Sequence, residues 1–94
     1  MTDTIRRNDE AGQYELVDDA GSIGARAEFV IEDDRVVMPH TESDPAREGQ
    51  GLAGRVVQFA LDDIRAGERH VVPLCPYVNH FIEKHPEYQS LVVH

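Results

Sequence analysis

An amphipathic segment near the middle of the chain, residues 51–66, constrains the fold more than any other feature of the sequence. Its apolar residues recur every three or four positions, as on one face of a helix, and Gly67 follows where such a helix would end. Short apolar segments flank it, residues 35–42 before and 70–74 after. A strand, a helix and a strand in this order predict two parallel strands joined by a crossover helix. The helix face consists of Leu52, Val56, Val57, Ala60, Leu61 and Ile64.

The residues before this unit predict an antiparallel meander of three strands. The strands are residues 13–17, 22–32 and 35–42, with turns at residues 18–21 and at Asp33 and Asp34. In the second strand, alternate residues are apolar and are expected to face the core: Ala25, Ala27, Phe29 and Ile31. Pro39 has no backbone N–H to donate, so it indicates an edge, a bulge or a break in the third strand.

A second helix is predicted at residues 76–85, because Pro76 suits a first helical turn and Pro86 ends the helix. Residues 1–10 are polar and charged, and we expect them to form a disordered tail. The length of 94 residues is that of one domain. The sequence therefore predicts a single α/β (α+β) domain, in which an antiparallel meander precedes a β-α-β unit and a C-terminal helix.

The charge and composition of the chain disfavour several classes of partner. The formal net charge is −9 and Lys84 is the one lysine, so we expect no surface for nucleic acid and a preference for cationic partners. No apolar run is long enough to cross a bilayer, and the N-terminal residues lack a secretory signal. The single cysteine cannot form an internal disulfide, which agrees with a cytoplasmic protein. No cysteine and histidine spacing matches a zinc site, so no metal is expected.

The predicted topology places two loops at one edge of the sheet, where ligands of open α/β sheets bind. One is residues 43–50, which lead into the glycine-rich turn at residues 49–54, and the other is Cys75 with Pro76. Glycines let the backbone approach an anion closely, and the amides at a helix N-terminus attract phosphate. The alternative is a loop that needs glycine only for its turn geometry.

Three ordered motifs of the sequence resemble the GNAT superfamily of N-acetyltransferases. Gly51 and Ala53 match the last two fixed positions of motif A, Gln/Arg-x-x-Gly-x-Gly/Ala, whereas Glu48 stands where the family has Gln or Arg. Arg47 and Arg55 are close enough in sequence to compensate for the charge of Glu48. The other motifs are His40-Thr41-Glu42 and Leu74-Cys75-Pro76-Tyr77-Val78, the latter followed by Phe81 and His85-Pro86-Glu87-Tyr88. The likeness extends from Gln13 to Leu91 and is to the small, cysteine-containing members of the superfamily.

The resemblance implies an acyltransferase that uses acetyl-CoA as the acyl donor and an amine as the acceptor. In such proteins the turn amides hold the coenzyme A pyrophosphate, and the strand before the turn runs beside the pantetheine arm. The residues expected to contact the coenzyme are Thr41, Glu42, Glu48, Gly49, Gln50, Gly51, Leu52, Ala53, Gly54, Tyr77 and Asn79. The acidic surface suggests a cationic peptide or a polyamine as the acceptor. The alternative is a module that binds acyl-CoA without turnover.

Cys75 and His40 are the candidate catalytic residues. Cys75 is expected to cap the second helix ahead of Pro76, where the helix dipole favours the thiolate. The thiolate then either accepts the acyl group or lines the pocket while the amine attacks directly, and a buried core cysteine is the remaining interpretation. His40 is placed to take a proton from the incoming ammonium, or it is a structural histidine beside Pro39.

Overall fold

Two β-sheets and two α-helices form the fold in the computed structural model, which describes residues 3–47 and 49–93. The elements in chain order are β1 (Thr4–Asn8), β2 (Gln13–Val17), β3 (Ile23–Glu28), β4 (Val30–Glu32), β5 (Arg35–Val37), β6 (Thr41–Ser43), α1 (Leu52–Ala66), β7 (His70–Val72) and α2 (Pro76–Lys84). Short 3-10 helices lie at Pro45–Arg47 and Pro86–Leu91. The sheet orders are β1-β2-β3-β6 and β4-β5-β7. The predicted α/β class and order of elements are confirmed.

A bulged hairpin, residues 23–43, connects the two sheets. Its outer half is the antiparallel pair of β3 and β6, and its inner half is the antiparallel pair of β4 and β5. The register shifts by one residue between the halves, because Met38 and Pro39 together lie opposite Phe29. Such an extra residue bends a strand and ends its regular pairing. The two long strands predicted at residues 22–32 and 35–42 are therefore each divided, and Pro39 marks a bulge.

The predicted β-α-β unit is confirmed, since β5 and β7 pair in parallel and α1 connects them. The helix begins after Gly51, its N-cap, and ends at Gly67. All six residues of its predicted apolar face are buried, and they pack against the inward side chains of the meander. Phe29 is buried as expected, but Ile31 is 39% exposed because β4 is the edge strand of the smaller sheet.

The expectation of a disordered tail is wrong for β1, which pairs with β2 along its whole length. Charged side chains stabilise this strand where apolar ones are few. The Arg6 Nε donates to Glu15 Oε1 at 2.8 Å, and Glu15 is only 2% exposed. The strand registers align Arg6, Glu15, Arg26 and Glu42 across the outer face of the larger sheet. Opposite charges on neighbouring strands attract, so this row of alternating charge stabilises the four-stranded sheet.

The C-terminal residues complete the core around α2. Cys75 is the N-cap of this helix, Pro76 begins it as predicted, and it ends at Lys84. The following 3-10 helix buries Tyr88 and Leu91 in the same core. In the described part of the chain, no helix is both long enough and apolar enough to cross a membrane.

Candidate functional site

The two predicted loops meet at one end of α1, as the topology requires. A hollow of about 370 Å³ lies between the glycine-rich turn and the first turn of α2. Tyr77 lines it from α2, while Gly49, Gly51 and Ala53 line it from the turn. A methyl group added at Gly54 would lie 3.4 Å from the Tyr77 hydroxyl, so the glycine lets the two helices approach closely here. The remaining lining residues are Ser43, Arg47 and Leu52.

The glycine-rich turn has the backbone of an anion site. Gly49 has φ 87° and Gly51 has φ 70°, a left-handed conformation that glycine adopts without strain. A methyl group at either position would meet nothing within 4 Å, so the space in front of the turn is open. The first amides of α1 have no partner inside the helix, and Gly51 has no side chain to cap them. The turn therefore presents free amides at the positive end of a helix.

Two arginines add positive charge beside these amides. Arg47 donates from Nη2 to Asp3 Oδ2 at 3.0 Å and to Gln50 Oε1 at 3.1 Å. Arg55, in the first turn of α1, approaches the same Asp3 oxygen at 3.5 Å. The hydrogen bond from Arg47 lowers the pKa of Asp3 below its usual value, although burial acts in the opposite direction. Glu48, the residue that departs from motif A, lies outside the described residues.

Cys75 lies in a fork between β6 and the start of α2. Its amide donates to the Met38 carbonyl at 2.9 Å, beside the bulge, and its thiol donates to the Thr41 hydroxyl at 3.6 Å. Burial of the thiol disfavours its ionised form, but the amide of Val78 and the Thr41 hydroxyl outweigh this effect and lower the pKa of Cys75. The side chain is 6% exposed and belongs to the core cluster, so access to the sulfur is narrow.

His40 lies on the opposite face of the same strand from Thr41. Its Nε2 is 3.0 Å from Glu42 Oε1, and Arg26 Nη2 donates to the other Glu42 oxygen at 2.8 Å. Both contacts lower the pKa of Glu42, and the hydrogen bond with His40 has the larger effect. Because successive strand residues face opposite sides, Thr41 points towards Cys75 whereas His40 and Glu42 point away from it. The structure thus brings Cys75 together with Thr41 and separates it from His40.

The remaining predicted site residues divide between the hollow and its surroundings. Gln50 is exposed and bonded to Arg47, and Asn79 is exposed and donates to Glu83 Oε1 at 3.2 Å on the surface of α2. Sequence reasoning missed Ser43 and Asp3. Ser43 was detectable, because it stands two positions after Thr41 and so shares its face. Asp3 was not detectable, because it is 44 positions away from Arg47 in the sequence.

A second cavity, of about 270 Å³, lies at the other end of α1. Arg7, Asp63 and the Tyr14 hydroxyl form its polar wall, and Asp63 accepts hydrogen bonds from both of the others, at 3.1 and 2.7 Å. Burial, followed by this contact with Asp63, raises the pKa of Tyr14 far above its usual value. The cavity contains none of the predicted site residues, and Arg7 and Tyr14 are both hydrogen-bonded to Asp63.

A family model described as GCN5-related N-acetyl-transferase matches residues 13–91, more than four fifths of the chain. The chain belongs to this family. The bulge, the glycine-rich turn and the cysteine follow one another in this order, and all three lie within the matched residues. The family uses acetyl-CoA generally, and the free amides at the start of α1 suit its phosphates.

Two solved structures support the assignment of the GNAT fold. The solution structure of a GCN5-like protein from Staphylococcus aureus has a TM-score of 0.73 at 18% identity, covering 96% of this chain and 87% of that one. The crystal structure of the ribosomal-protein-S18-alanine N-acetyltransferase from Escherichia coli has a TM-score of 0.64 at 13% identity. The alignment covers 83% of this chain but only 53% of the Escherichia coli protein. No protein with curated annotation matches this GNAT chain.

Proposed function

We propose that this GNAT protein binds acetyl-CoA through the turn at residues 49–54 and transfers the acetyl group to an amine. The observation that carries the proposal is the hollow that joins this turn to the first turn of α2, which Cys75 caps. One end of the hollow offers free amides and Arg47, which suit a phosphate. Ser43 and Tyr77 line the hollow and each stand two positions after Thr41 and Cys75, whose hydroxyl and thiol suit a thioester.

The edge of β6 supports the placement of the pantetheine arm. This strand pairs with β3 on one side and is the last strand of its sheet among the described residues. The bulge at Pro39 separates it from β7, which pairs with β5 and forms a further bridge between Val71 and Val92. The unpaired edge of β6 can therefore form hydrogen bonds with the amides of an extended arm, which would lead from the turn to Cys75.

The two faces of β6 suggest a division of labour in the reaction. Cys75 and Thr41 would hold the thioester on one face, and the acceptor amine would have to reach the thioester on that face. In direct transfer, the amine nitrogen attacks the thioester carbonyl, the carbon–sulfur bond breaks, and coenzyme A leaves as the thiolate. His40, on the opposite face, would take the proton that the nitrogen loses through a water molecule at the unpaired edge of β6. In covalent transfer, the Cys75 thiolate first attacks the acetyl-CoA carbonyl and coenzyme A leaves as the thiolate. The amine then attacks the acetyl-cysteine carbonyl, loses a proton and releases the Cys75 thiolate.

A binding module without turnover is the second candidate, because Cys75 is part of the buried core and His40 is paired with Glu42. Both candidates require the same coenzyme site. Release of free coenzyme A separates them when it is measured with acetyl-CoA and a panel of amines. Amine-dependent release supports the transferase, and retention of intact acetyl-CoA with every amine supports the module.

Coenzyme A should raise the melting temperature of the protein. A ligand at 100 times its dissociation constant stabilises the folded state by about 2.7 kcal/mol, which corresponds to a shift on the order of 10 °C for a domain of this size. Desulfo-coenzyme A should act similarly, because the phosphate contacts do not involve the thiol. Differential scanning fluorimetry at millimolar ligand measures both, with adenosine as a control that lacks phosphate. Absence of a shift with either coenzyme would contradict the proposed site.

Cationic acceptors should be preferred over neutral or anionic ones, because the net charge of the chain is −9. The Escherichia coli structural neighbour is named for a protein acceptor, the alanine of ribosomal protein S18. We expect the Michaelis constant for a lysine-rich peptide or a polyamine to rise with ionic strength, because salt screens the attraction. The Michaelis constant for a neutral amine of similar size should not change with salt concentration. Equal or better turnover of an anionic amine would contradict this preference.

A further inference from the structure

We infer that Asp3 is an internal counter-ion of the phosphate site, which holds Arg47 and Arg55 in the free protein and is displaced when coenzyme A binds. The inference concerns the regulation of the site proposed above and rests on that proposal. It assigns to Asp3 a role as a competitor of the coenzyme phosphates.

The contacts of Asp3 are those that a phosphate would make. Arg47 binds the carboxylate with both terminal nitrogens, Nη1 to Oδ1 at 3.3 Å and Nη2 to Oδ2 at 3.0 Å. Guanidinium groups bind carboxylate and phosphate in this same two-point manner. Arg55 approaches from the first turn of α1, so the carboxylate lies between two cations. Because Arg47 also lines the hollow, its head group is next to the glycine-rich turn.

The other arginines with ion pairs in the described residues do not line the hollow. Arg6 and Arg26 pair with carboxylates on the outer face of the larger sheet, and Arg7 pairs with Asp9 and Asp63 at the far end of α1. Arg47 lines the hollow, and Arg55 lies in the first turn of α1, so these two are the cations beside the proposed phosphate site. Their partner Asp3 lies one position before β1, outside the strand pairing, so its side chain can leave without loss of a sheet hydrogen bond.

The charges favour the exchange. A pyrophosphate or a 3′-phosphate carries more negative charge than one carboxylate and offers more acceptor oxygens. Asp3 and Arg47 are only 19% and 23% exposed, but a phosphate would take over the same two-point contact with Arg47, so the loss of the Asp3 contact is replaced on binding. Asp3 would thereby lower the affinity for coenzyme A and also prevent the two cations from repelling each other while the site is empty.

The test measures the dissociation constant of coenzyme A by isothermal titration calorimetry at low salt for four proteins. They are the wild type, Asp3→Asn, Asp3→Glu and, as a control for net charge, Asp34→Asn in the turn between β4 and β5. Removing the competing charge should tighten binding roughly two- to five-fold in Asp3→Asn, as expected for the loss of one partly exposed ion pair. Asp3→Glu and Asp34→Asn should remain within a factor of about two of the wild type.

Inorganic pyrophosphate serves as a second probe of the same four proteins. Tighter binding of either probe by Asp3→Asn alone supports the inference, even if coenzyme A itself does not bind and the proposed function fails. Unchanged or weaker binding in a folded Asp3→Asn overturns the inference and makes Asp3 a positioning residue for Arg47, while the proposed function stands. Failure of all four proteins to bind either probe overturns both. Circular dichroism checks the fold of each variant.

Discussion

Gly51→Glu should fold and should fail to bind coenzyme A. The Cβ of the added side chain would have no neighbouring atom within 4 Å, and the side chain would project where the phosphate would approach the backbone. Its negative charge repels the phosphates, and its bulk keeps them from the amides of α1. We expect the dissociation constant to rise at least about 100-fold, which corresponds to about 2.7 kcal/mol. Calorimetry with coenzyme A measures it directly.

Three further variants separate this effect from backbone strain. Gly51 has φ 70°, so any side chain there costs about 1 kcal/mol or more. Asparagine tolerates this conformation, so Gly51→Asn should be nearly as stable as the wild type and should bind coenzyme A with intermediate affinity. The control variant Gly12→Glu introduces the same backbone strain and the same charge at another glycine of positive φ, 67°, near the far end of α1. It should bind coenzyme A with the dissociation constant of the wild type. Normal binding by a folded Gly51→Glu would mean that the coenzyme site lies elsewhere.

Cys75→Ala should still bind coenzyme A, because the phosphate contacts come from the other loop. Its rate of acetyl transfer distinguishes the two chemical routes. In covalent transfer, the rate should fall at least about 1,000-fold, as when a nucleophile is removed, and an acetyl adduct on wild-type Cys75 should be detectable by mass spectrometry. In direct transfer, the rate should stay within about ten-fold of the wild type, and His40→Gln should then cause the larger loss.

Alkylation of Cys75 tests the environment of the sulfur independently of turnover. The thiolate is the reactive form, so the rate rises with pH and is half-maximal at the pKa. Because the pKa of Cys75 is lowered, this midpoint should lie below that of a model thiol, although the burial of the side chain limits the maximal rate. Thr41→Val removes one stabilising hydroxyl and should raise the midpoint. Coenzyme A should protect the wild type, and an inert, unprotected thiol would identify Cys75 as a core residue only.

The helices were predictable because local chemistry determines them. The apolar face of residues 52–64 matches the helical repeat, and Gly51 and Gly67 stand at its two ends. Pro76 and Pro86 mark the limits of α2 in the same way. Since the site lies where these helices begin, its two loops could also be placed at one edge of the sheet from the sequence.

The strands were less predictable because their limits depend on partners that are distant in sequence. The burial of Glu15 among polar neighbours and the pairing of β1 follow from charges brought together by the sheet. Nothing in residues 4–8 alternates as a half-buried strand should. The division of the second predicted strand at Phe29 depends on Met38 and Pro39, which lie opposite it in the hairpin. The sequence alone allowed Pro39 to mark an edge, a bulge or a break. The separation of His40 from Cys75 was not predictable either, because the extra residue at the bulge determines which face of the sheet each following side chain occupies.

The bulged hairpin has a consequence for how the molecule unfolds. Each of its arms contributes to both sheets, so neither sheet is an independent folding unit. Loss of pairing between β4 and β5 would release β3 and β6 from a fixed register, and the fork around Cys75 would be lost with them. Wider opening of the fork is therefore coupled to opening of the hairpin that joins the two sheets. In the folded protein, a thioester or an alkylating reagent must instead reach Cys75 through the narrow opening that leaves the residue 6% exposed.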